Sequence, residues 1–191
     1  AWTPFVAYLN ANLDGVAVRL RVLEQAEMKD ALTRGELDLV LTNPAHFVAL
    51  RVDNALSGAI ATQVNNEHGV PVGRFGGVIV VRKDNAAIRT LADLGGRLVG
   101  TTSANFLGTF AAQAHELLSA GVAPRALRLK TLTQYQDRVI DAVLSGEVEA
   151  GFVRTGLIEE LAREGRTDLH RLEVINRHEL PGFPSASSSA L

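Results

Sequence analysis

Short apolar runs typical of β-strands alternate along the chain with longer segments in which apolar residues recur at helical spacing. The strand pattern predicts β-strands at residues 16–22, 37–41, 55–64, 75–82, 97–100, 127–132, 148–153 and 169–175. The helical pattern predicts helices at residues 4–12, 25–34, 44–52, 88–94, 105–120, 135–144 and 156–163. The polar segment 65–74 predicts a surface hairpin or loop. Because strands and helices alternate, we predict an α/β fold with mostly parallel sheets.

Two segments of the chain, residues 31–44 and 142–155, carry nearly the same pattern. Each reads as the end of a helix, a glycine, an acidic and apolar strand, and a polar start of the next helix. This repetition predicts two lobes built alike, with two helix N-termini facing one cleft. Free N–H groups at helix N-termini suit an anion. The paired Gly76 and Gly77 predict a bend or a close backbone approach, which suits a crossover between the lobes.

Composition narrows the class of protein. The chain has 191 residues, of which 47% are hydrophobic, so it can bury the core of one large domain or of two small lobes. A net charge of −2 gives no electrostatic footprint for nucleic acid. The absence of cysteine excludes disulfides, thiolate zinc sites and cysteine nucleophiles. No apolar run is as long as a membrane span, and the two ends lead us to expect a piece of a longer protein.

The sequence carries no catalytic or metal-binding signature. It lacks the Gly-x-Ser-x-Gly elbow, the P-loop and the Gly-x-Gly-x-x-Gly motif. The His-Glu pairs at 115–116 and 178–179 are not followed by a second histidine at zincin spacing. We therefore predict no enzyme activity, no cofactor and no metal. The scattered histidines are predicted to be surface or loop residues: His46, His68, His115, His170 and His178.

Polar turns follow four of the predicted strands, at residues 42–44, 101–105, 131–135 and 154–155. Ligands of open α/β sheets bind outside the carboxyl ends of the strands, where these turns lie. Each turn could equally serve as an ordinary helix cap, because a cap requires one such residue. The turn 101–105 supplies four polar residues, however, which exceeds what capping needs.

Arg154 is unusual among these turn residues, because a cation at a helix N-terminus opposes the helix dipole. Its position predicts either an anionic ligand or a carboxylate across the cleft. Phe106 and Tyr135 stand at predicted helix starts, where an aromatic ring lines a pocket or belongs to the core.

Four segments, at residues 35–48, 75–82, 91–99 and 142–156, resemble the phosphonate-binding-protein-like family, a branch of the type II periplasmic binding proteins. The combination of Asn43-Pro44, Phe75-Gly76-Gly77 and Gly151-Phe152-Val153-Arg154-Thr155 is most similar to the extracytoplasmic sensor domains of histidine kinases and related receptors.

The resemblance implies two α/β lobes joined by two hinge strands, with a small oxyanion in the cleft between them. It divides the chain into lobe 1 (residues 1–77, with the first strand missing before Trp2), lobe 2 (residues 78–176) and a return segment to lobe 1 (residues 177–191). Carried over by position, the ligand-binding residues are Asn43, Thr102, Ser103, Asn105, Phe106, Gln134, Tyr135, Arg154 and Thr155.

Two departures from the family pattern argue against phosphonate itself while a small anion stays plausible. The turn that opens the long helix reads Ser-Ala-Asn-Phe-Leu-Gly at 103–108, where the transport proteins have a Ser/Thr-rich turn running into Ser-Gly. The histidine often found at the start of the next helix is replaced in the region 133–137.

The resemblance implies a periplasmic sensor domain of a membrane receptor, and we expect that receptor to be a histidine kinase. Its partners would be a small anionic ligand and its own transmembrane and kinase modules. A homodimer is also possible, because sensor domains of this type generally work as dimers. The alternatives are a soluble binding protein of an ABC transporter, the effector domain of a transcription regulator, and an enzyme on the same scaffold. The missing acid/base pair argues against the enzyme.

Overall fold

The computed structural model describes residues 2–67, 70–74, 76–133 and 135–176. Its α-helices are α1 (Thr3–Asn12), α2 (Gln25–Thr33), α3 (Pro44–Asp53), α4 (Ala112–Ser119), α5 (Asp137–Ser145) and α6 (Leu157–Arg163). Its strands are β1 (Asn65–Glu67), β2 (Val70–Val72), β3 (Gly77–Arg82), β4 (Leu98–Thr101), β5 (Arg128–Thr131), β6 (Ala150–Arg154) and β7 (Leu172–Val174). Short 3₁₀-helices lie at Leu91–Leu94, Pro124–Ala126 and Leu169–Arg171, and a π-helix lies at Leu107–Ala111.

Five strands form the central sheet, in the order β5-β4-β6-β3-β7. Strand β4 runs parallel to β5 and β6, whereas β3 runs antiparallel to both β6 and β7. The predicted α/β class is confirmed, but this sheet is mixed rather than mostly parallel. The apolar run of β3 could not reveal its direction, because a buried strand reads alike in either orientation. Strands β1 and β2 form the predicted hairpin as a separate antiparallel pair.

The core lies on both faces of this sheet. Along β3, Val78 and Val80 belong to the cluster that α5 and α6 cover, while Ile79 and Val81 belong to the cluster that α4 covers. Helix α5 approaches β6 so closely that a Cβ on Gly151 would lie within 2.9 Å of valine methyl groups on that helix. The uninterrupted apolar runs of β3 and β6 are thus explained by burial on two sides.

The strands predicted at 16–22, 37–41 and 55–64 do not form, and these predictions are wrong. Residues 2–64, all described, contain helices and irregular segments but no strand. Leu39 and Leu41, which we expected to be buried on both faces, are 66% and 54% exposed. A strand requires a neighbour for its backbone hydrogen bonds, and none pairs with these segments. The proposed lobe boundaries therefore stay predictions.

Both glycines of the repeated pattern adopt the left-handed conformation expected after a helix, with φ of 69° at Gly35 and 79° at Gly146. The second repeat continues into β6, whereas the first continues into an irregular segment. The helix predicted at 105–120 divides into the π-helix and α4. The return segment 177–191 lies outside the described residues. Across the described chain, no helix is both long and apolar enough to span a bilayer.

Candidate functional site

The turn after β4 is held by its own hydroxyl groups. The Thr101 hydroxyl donates to the carbonyl oxygen of Thr109 (2.6 Å), and the Thr109 hydroxyl donates to the carbonyl oxygen of Ser103 (2.9 Å). The Ser103 hydroxyl accepts the backbone N–H of Asn105 (3.1 Å). Thr101 and Thr102 are buried, whereas Asn105 is exposed. Part of the polar character that suggested a ligand site thus stabilises the turn itself.

The π-helix continues directly from this turn. Its first turn is closed by hydrogen bonds from the N–H groups of Phe110 and Ala111 to the carbonyl oxygen of Phe106. Single π-turns of this kind occur frequently at functional sites. Helix α3 packs against the π-helix, and the Asn43 side chain caps α3 by accepting the N–H of His46 (3.1 Å). The helices that Asn43 and Phe106 begin are therefore neighbours, one from each predicted lobe.

The Arg154 side chain is engaged within the second lobe. Its guanidinium donates to the Thr155 carbonyl oxygen (3.2 Å) and forms an ion pair with the Glu160 carboxylate on α6. The backbone N–H of Arg154 donates to the Gln136 side-chain oxygen (2.9 Å). Of the two alternatives for Arg154, an anionic ligand or a carboxylate across the cleft, the structure shows a carboxylate, but a local one that lies six residues farther along the chain. Glu160 had no signal in the sequence beyond its place in the first turn of a helix.

A polar cleft of about 280 Å³ opens beside Arg154. It is lined by Tyr135, Gln136, Asp137, Arg154, Leu157, Glu160, Leu161, Glu164 and Arg166. Arg166 pairs with Asp137 and with Glu164. The hydrogen bond from Arg166 lowers the pKa of Asp137, so that this carboxylate stays charged to a lower pH than an ordinary aspartate does. Arg154 and Arg166 thus face three carboxylates in this cleft.

Tyr135 presents an aromatic ring at the edge of the cleft and is 65% exposed. The alternative that Tyr135 belongs to the core is therefore wrong. Phe106 is half-buried at the start of the π-helix. Gln134 and Phe75 lie outside the described residues.

Thr155 binds back to the segment that leads into β3. Its hydroxyl accepts the N–H of Gly76 (3.1 Å), and its own N–H donates to the Gly76 carbonyl oxygen (3.1 Å). These two hydrogen bonds extend the antiparallel ladder of β3 and β6 by one residue, at the end of the sheet where β3 begins and β6 ends. Thr155 thus joins the segment that follows β6 to the segment that precedes β3.

Gln113 is a buried polar residue that the sequence analysis missed. Its amide nitrogen lies within hydrogen-bonding distance of the carbonyl oxygens of Gly108 (2.9 Å), Val153 (3.0 Å) and Val78 (3.3 Å). A Cβ on Gly77 would overlap the Gln113 amide. The close approach predicted from the paired glycines is therefore confirmed at Gly77. Gln113 connects the π-helix to the two central strands.

Asn176 makes a second buried polar link at this end of the sheet. Its side-chain oxygen accepts the N–H of Ile79 (2.7 Å), and its amide nitrogen donates to the Gly77 carbonyl oxygen (3.0 Å) and to the Glu116 carboxylate (2.7 Å). The residue thus ties the chain after β7 to β3 and to α4. The sequence could not identify Asn176 as a buried link, because nothing in it showed which strand pairs with β7.

His46 corrects the prediction that the histidines are surface residues. It is 8% exposed, its Nδ1 lies 2.8 Å from the Thr42 hydroxyl, and burial lowers its pKa. His46 and Leu50 are the buried residues of α3, and because they are four positions apart they lie on the same face of the helix. His115 and His170 are exposed, while His68 and His178 lie outside the described residues. Within the described ranges, no group of three or more His, Asp or Glu side chains could hold a metal.

Residues 1–190 match a family model described as the phosphonate periplasmic substrate-binding protein of ABC transporters. The tetrathionate sensor histidine kinase TtrS of Salmonella typhimurium is 28% identical over 165 residues, which cover 86% of this chain. The match spans only 28% of the kinase's own length.

Solved structures share the fold at lower sequence identity. XAC2383 of Xanthomonas citri, bound to ATP, has a TM-score of 0.70 at 18% identity and covers 93% of this chain and 68% of its own. PhnD1 of Prochlorococcus marinus, in complex with methylphosphonate, has a TM-score of 0.64 at 20% identity and covers 90% of this chain and 63% of its own.

These findings confirm the predicted family and the type II periplasmic-binding-protein fold. They imply an extracytoplasmic location and support the binding of a small ligand. The chain belongs to the family of periplasmic phosphonate substrate-binding proteins of ABC transporters.

Proposed function

We propose that this chain is the extracytoplasmic sensor domain of a membrane receptor, a histidine kinase, and that it binds a small oxyanion between its lobes. The observation that carries this proposal is the Arg154 guanidinium, which is half-buried at the carboxyl end of β6 and lines a polar cleft formed by residues of the proposed lobe 2. Ligands of α/β sheets bind at such ends, and guanidinium groups recognise oxyanions with two parallel hydrogen bonds. Similarity to a sensor kinase over 86% of the chain favours the signalling role.

The predicted ligand-binding residues favour an anion with a compact charged group. Among them Arg154 would supply the positive charge, and hydroxyl and amide side chains would supply neutral donors. The relatives reported above are named for, or bound to, tetrathionate, ATP and methylphosphonate, all of which are anions. The proposed ligand-binding set consists of Asn43, Thr102, Ser103, Asn105, Phe106, Gln134, Tyr135, Arg154 and Thr155.

Signalling would follow from closure of the cleft. A ligand that contacts Asn43 in lobe 1 and Arg154 in lobe 2 stabilises the closed arrangement, since only that arrangement makes both sets of contacts. We propose residues 1–77 and 78–176 as the two lobes and residues 177–191 as the return segment. Closure would pass to transmembrane and kinase modules of the full-length receptor, working as a homodimer.

A soluble binding protein that delivers its ligand to an ABC transporter is the second candidate. The family model, which matches residues 1–190 and describes such proteins, favours it. The sequence of the full-length gene distinguishes the two. Flanking membrane spans followed by a kinase module support the sensor, whereas a signal peptide alone supports the transporter component.

Binding is tested by thermal unfolding of this chain with tetrathionate, methylphosphonate, methanesulfonate and acetate. A ligand that binds only the folded state raises the midpoint of unfolding. We expect at least one oxyanion to do so. Titration calorimetry should then show binding about 10- to 150-fold weaker in Arg154→Ala, because a hydrogen bond to a charged group contributes ~1.5–3 kcal/mol.

Arg163→Ala is the matched control, since it removes the same charge from an exposed position at the end of α6. Equal affinity of the Arg154→Ala variant and the unmodified chain would exclude Arg154 from the site. The absence of a thermal shift with every anion would count against oxyanion binding in the cleft.

A further inference from the structure

The Glu160 carboxylate pairs with the Arg154 guanidinium, and both residues line the polar cleft. The carboxylate contacts one terminal nitrogen of Arg154, while the other terminal nitrogen donates to the Thr155 carbonyl oxygen. Both side chains line the same cleft and are only partly buried, at 35% and 42% exposed. The cation that would attract an external anion thus already holds an anion of its own chain.

We propose that Glu160 is an internal competitor for the ligand on Arg154. The inference rests on the proposed function. Ligand binding then becomes an exchange, in which an oxyanion binds the Arg154 guanidinium and the displaced Glu160 carboxylate rotates outward and is solvated by water. The ion pair contains a single carboxylate-to-nitrogen hydrogen bond, whereas an oxyanion can bind the guanidinium through two. An exposed ion pair is weak, so the exchange is readily driven by the stronger, two-pronged contact.

This exchange makes Glu160 a residue that sets the affinity of the site. Competition for the guanidinium weakens the binding of every anion by the same factor, because each ligand has to displace the same carboxylate. The displaced carboxylate also stays close to the site on α6, and it therefore disfavours ligands that carry much additional negative charge. The site would thus favour compact anions that carry little additional charge.

The ordinary alternative is that Glu160 only stabilises α6. An acidic residue in the first turn of a helix interacts favourably with the helix dipole, and Glu159 and Glu160 both lie there. The two roles differ in consequence. A purely structural Glu160 contributes to folding and leaves anion affinity unchanged, whereas a competitor lowers that affinity.

The test measures calorimetric titrations of tetrathionate, methylphosphonate and acetate into the unmodified chain, Glu160→Gln and Glu164→Gln. Glutamine keeps the size of the side chain but removes its charge. Glu164 lines the same cleft and pairs with Arg166 instead, so Glu164→Gln controls for the general loss of a negative charge. Glu160→Asp is the second variant if Glu160→Gln does not fold, because the shorter side chain weakens the pair while keeping the charge.

We expect Glu160→Gln to bind the oxyanion about two- to fivefold more tightly, the factor that corresponds to an exposed ion pair, with a smaller change in Glu164→Gln. In the Arg154→Ala background the gain should vanish, because the competition acts through that guanidinium. Binding by Glu160→Gln alone, with none by the unmodified chain, would also support the proposal.

Three outcomes overturn the competitor role while leaving the proposed function intact. They are unchanged or weaker binding in Glu160→Gln, an equal gain in Glu164→Gln, and a gain that persists without Arg154. If neither the unmodified chain nor Glu160→Gln binds any of the three anions, the proposed function fails, and the competitor role fails with it.

Discussion

Arg154 and Glu160 lie together at the edge of a polar cleft, and their pairing is central to the site that we propose. The Arg154 guanidinium is available to a ligand because its partner Glu160 is partly exposed, so that separating the two side chains costs little free energy. The neighbouring Thr155 is less available, since its hydroxyl already accepts the N–H of Gly76. At the scale of single residues, the charged group is thus the part of the predicted set best placed to contact an anion.

Gly77 allows the sheet and the π-helix to be joined through Gln113, and replacing it should be costly. In Gly77→Ala the added methyl would displace the buried Gln113 amide from its carbonyl acceptors. We expect the free energy of unfolding to fall by about 1–3 kcal/mol, the usual cost of overpacking and of lost buried hydrogen bonds. Urea unfolding followed by circular dichroism measures it.

Gly76→Ala is the matched control for that substitution, since its added methyl would meet only the Thr155 methyl group at 3.8 Å. Equal stability losses in the two variants would mean that Gln113 is not what Gly77 accommodates.

At the scale of elements, the central sheet depends on charged contacts at its strand ends as well as on its apolar faces. Glu149 lies directly before β6, and its carboxylate accepts the backbone N–H of Leu98 (2.9 Å), where β4 begins. The same carboxylate accepts a hydrogen bond from Arg97 (3.0 Å). One side chain thus joins the starts of two parallel neighbouring strands.

These contacts predict a specific pH dependence of stability. The hydrogen bond from the Leu98 N–H lowers the pKa of Glu149 in the folded state, and the Arg97 guanidinium lowers it further. Together they outweigh the partial burial of Glu149, which raises the pKa. A group with a lowered folded pKa stabilises the fold above its unfolded pKa, roughly 4.3 for glutamate. That contribution disappears as the pH falls through the lowered folded pKa.

Urea unfolding between pH 7 and pH 3 should therefore show a shallower acid loss of stability in Glu149→Gln than in the unmodified chain. Glutamine cannot be protonated in this range and still offers an oxygen to the Leu98 N–H. Asp93, Asp137 and Glu147, whose pKa values are also lowered, retain their own share of the acid loss in both proteins. Identical pH profiles would contradict the role of Glu149.

At the scale of the whole molecule, the apolar residues are unevenly buried. Both core clusters of the described chain are formed by residues between 78 and 175. Within residues 2–64, the buried apolar side chains are those of Ala31 and Leu50, while residues such as Val22 and Ile60 are 88% and 79% exposed. The second predicted lobe carries the central sheet, and the first contributes α3, which packs against the π-helix.

Hydrogen exchange measured by mass spectrometry should reflect this difference. Amides of β3, β4 and β6 are expected to be protected near the global free energy of unfolding, because they are hydrogen-bonded within a buried sheet. Peptides covering 16–22 and 37–41 should exchange orders of magnitude faster, since they have no strand partner. Protection of 37–41 equal to that of β3 would show that a second sheet exists in solution.

The same hydrogen-exchange measurement, repeated with an oxyanion that raises the unfolding midpoint, tests whether the two proposed lobes close. If the two proposed lobes close on an oxyanion, protection of the backbone amides from exchange should rise at the start of α3 and in the turn after β4, while that of β3 stays unchanged. A rise confined to one of these two segments would contradict closure between lobes.

The family was predicted from the resemblance of four segments to known proteins. Local patterns in the sequence were sufficient to predict the α/β class, most helix bounds and the glycine turns at Gly35 and Gly146. Apolar spacing and backbone freedom report on the immediate neighbourhood of a residue, and these features depend on that neighbourhood alone. The Gly77 contact was also foreseeable, since paired glycines in a strand indicate a close approach.

Tertiary structure alone decided the direction of β3, the failure of residues 37–41 to form a strand, and the partners of Arg154, Gln113 and Asn176. Each depends on which distant segment lies alongside, and a strand or a buried polar group is stable only with such a partner. The predicted ligand set stays a prediction for the same reason, because binding residues are defined by what they face together.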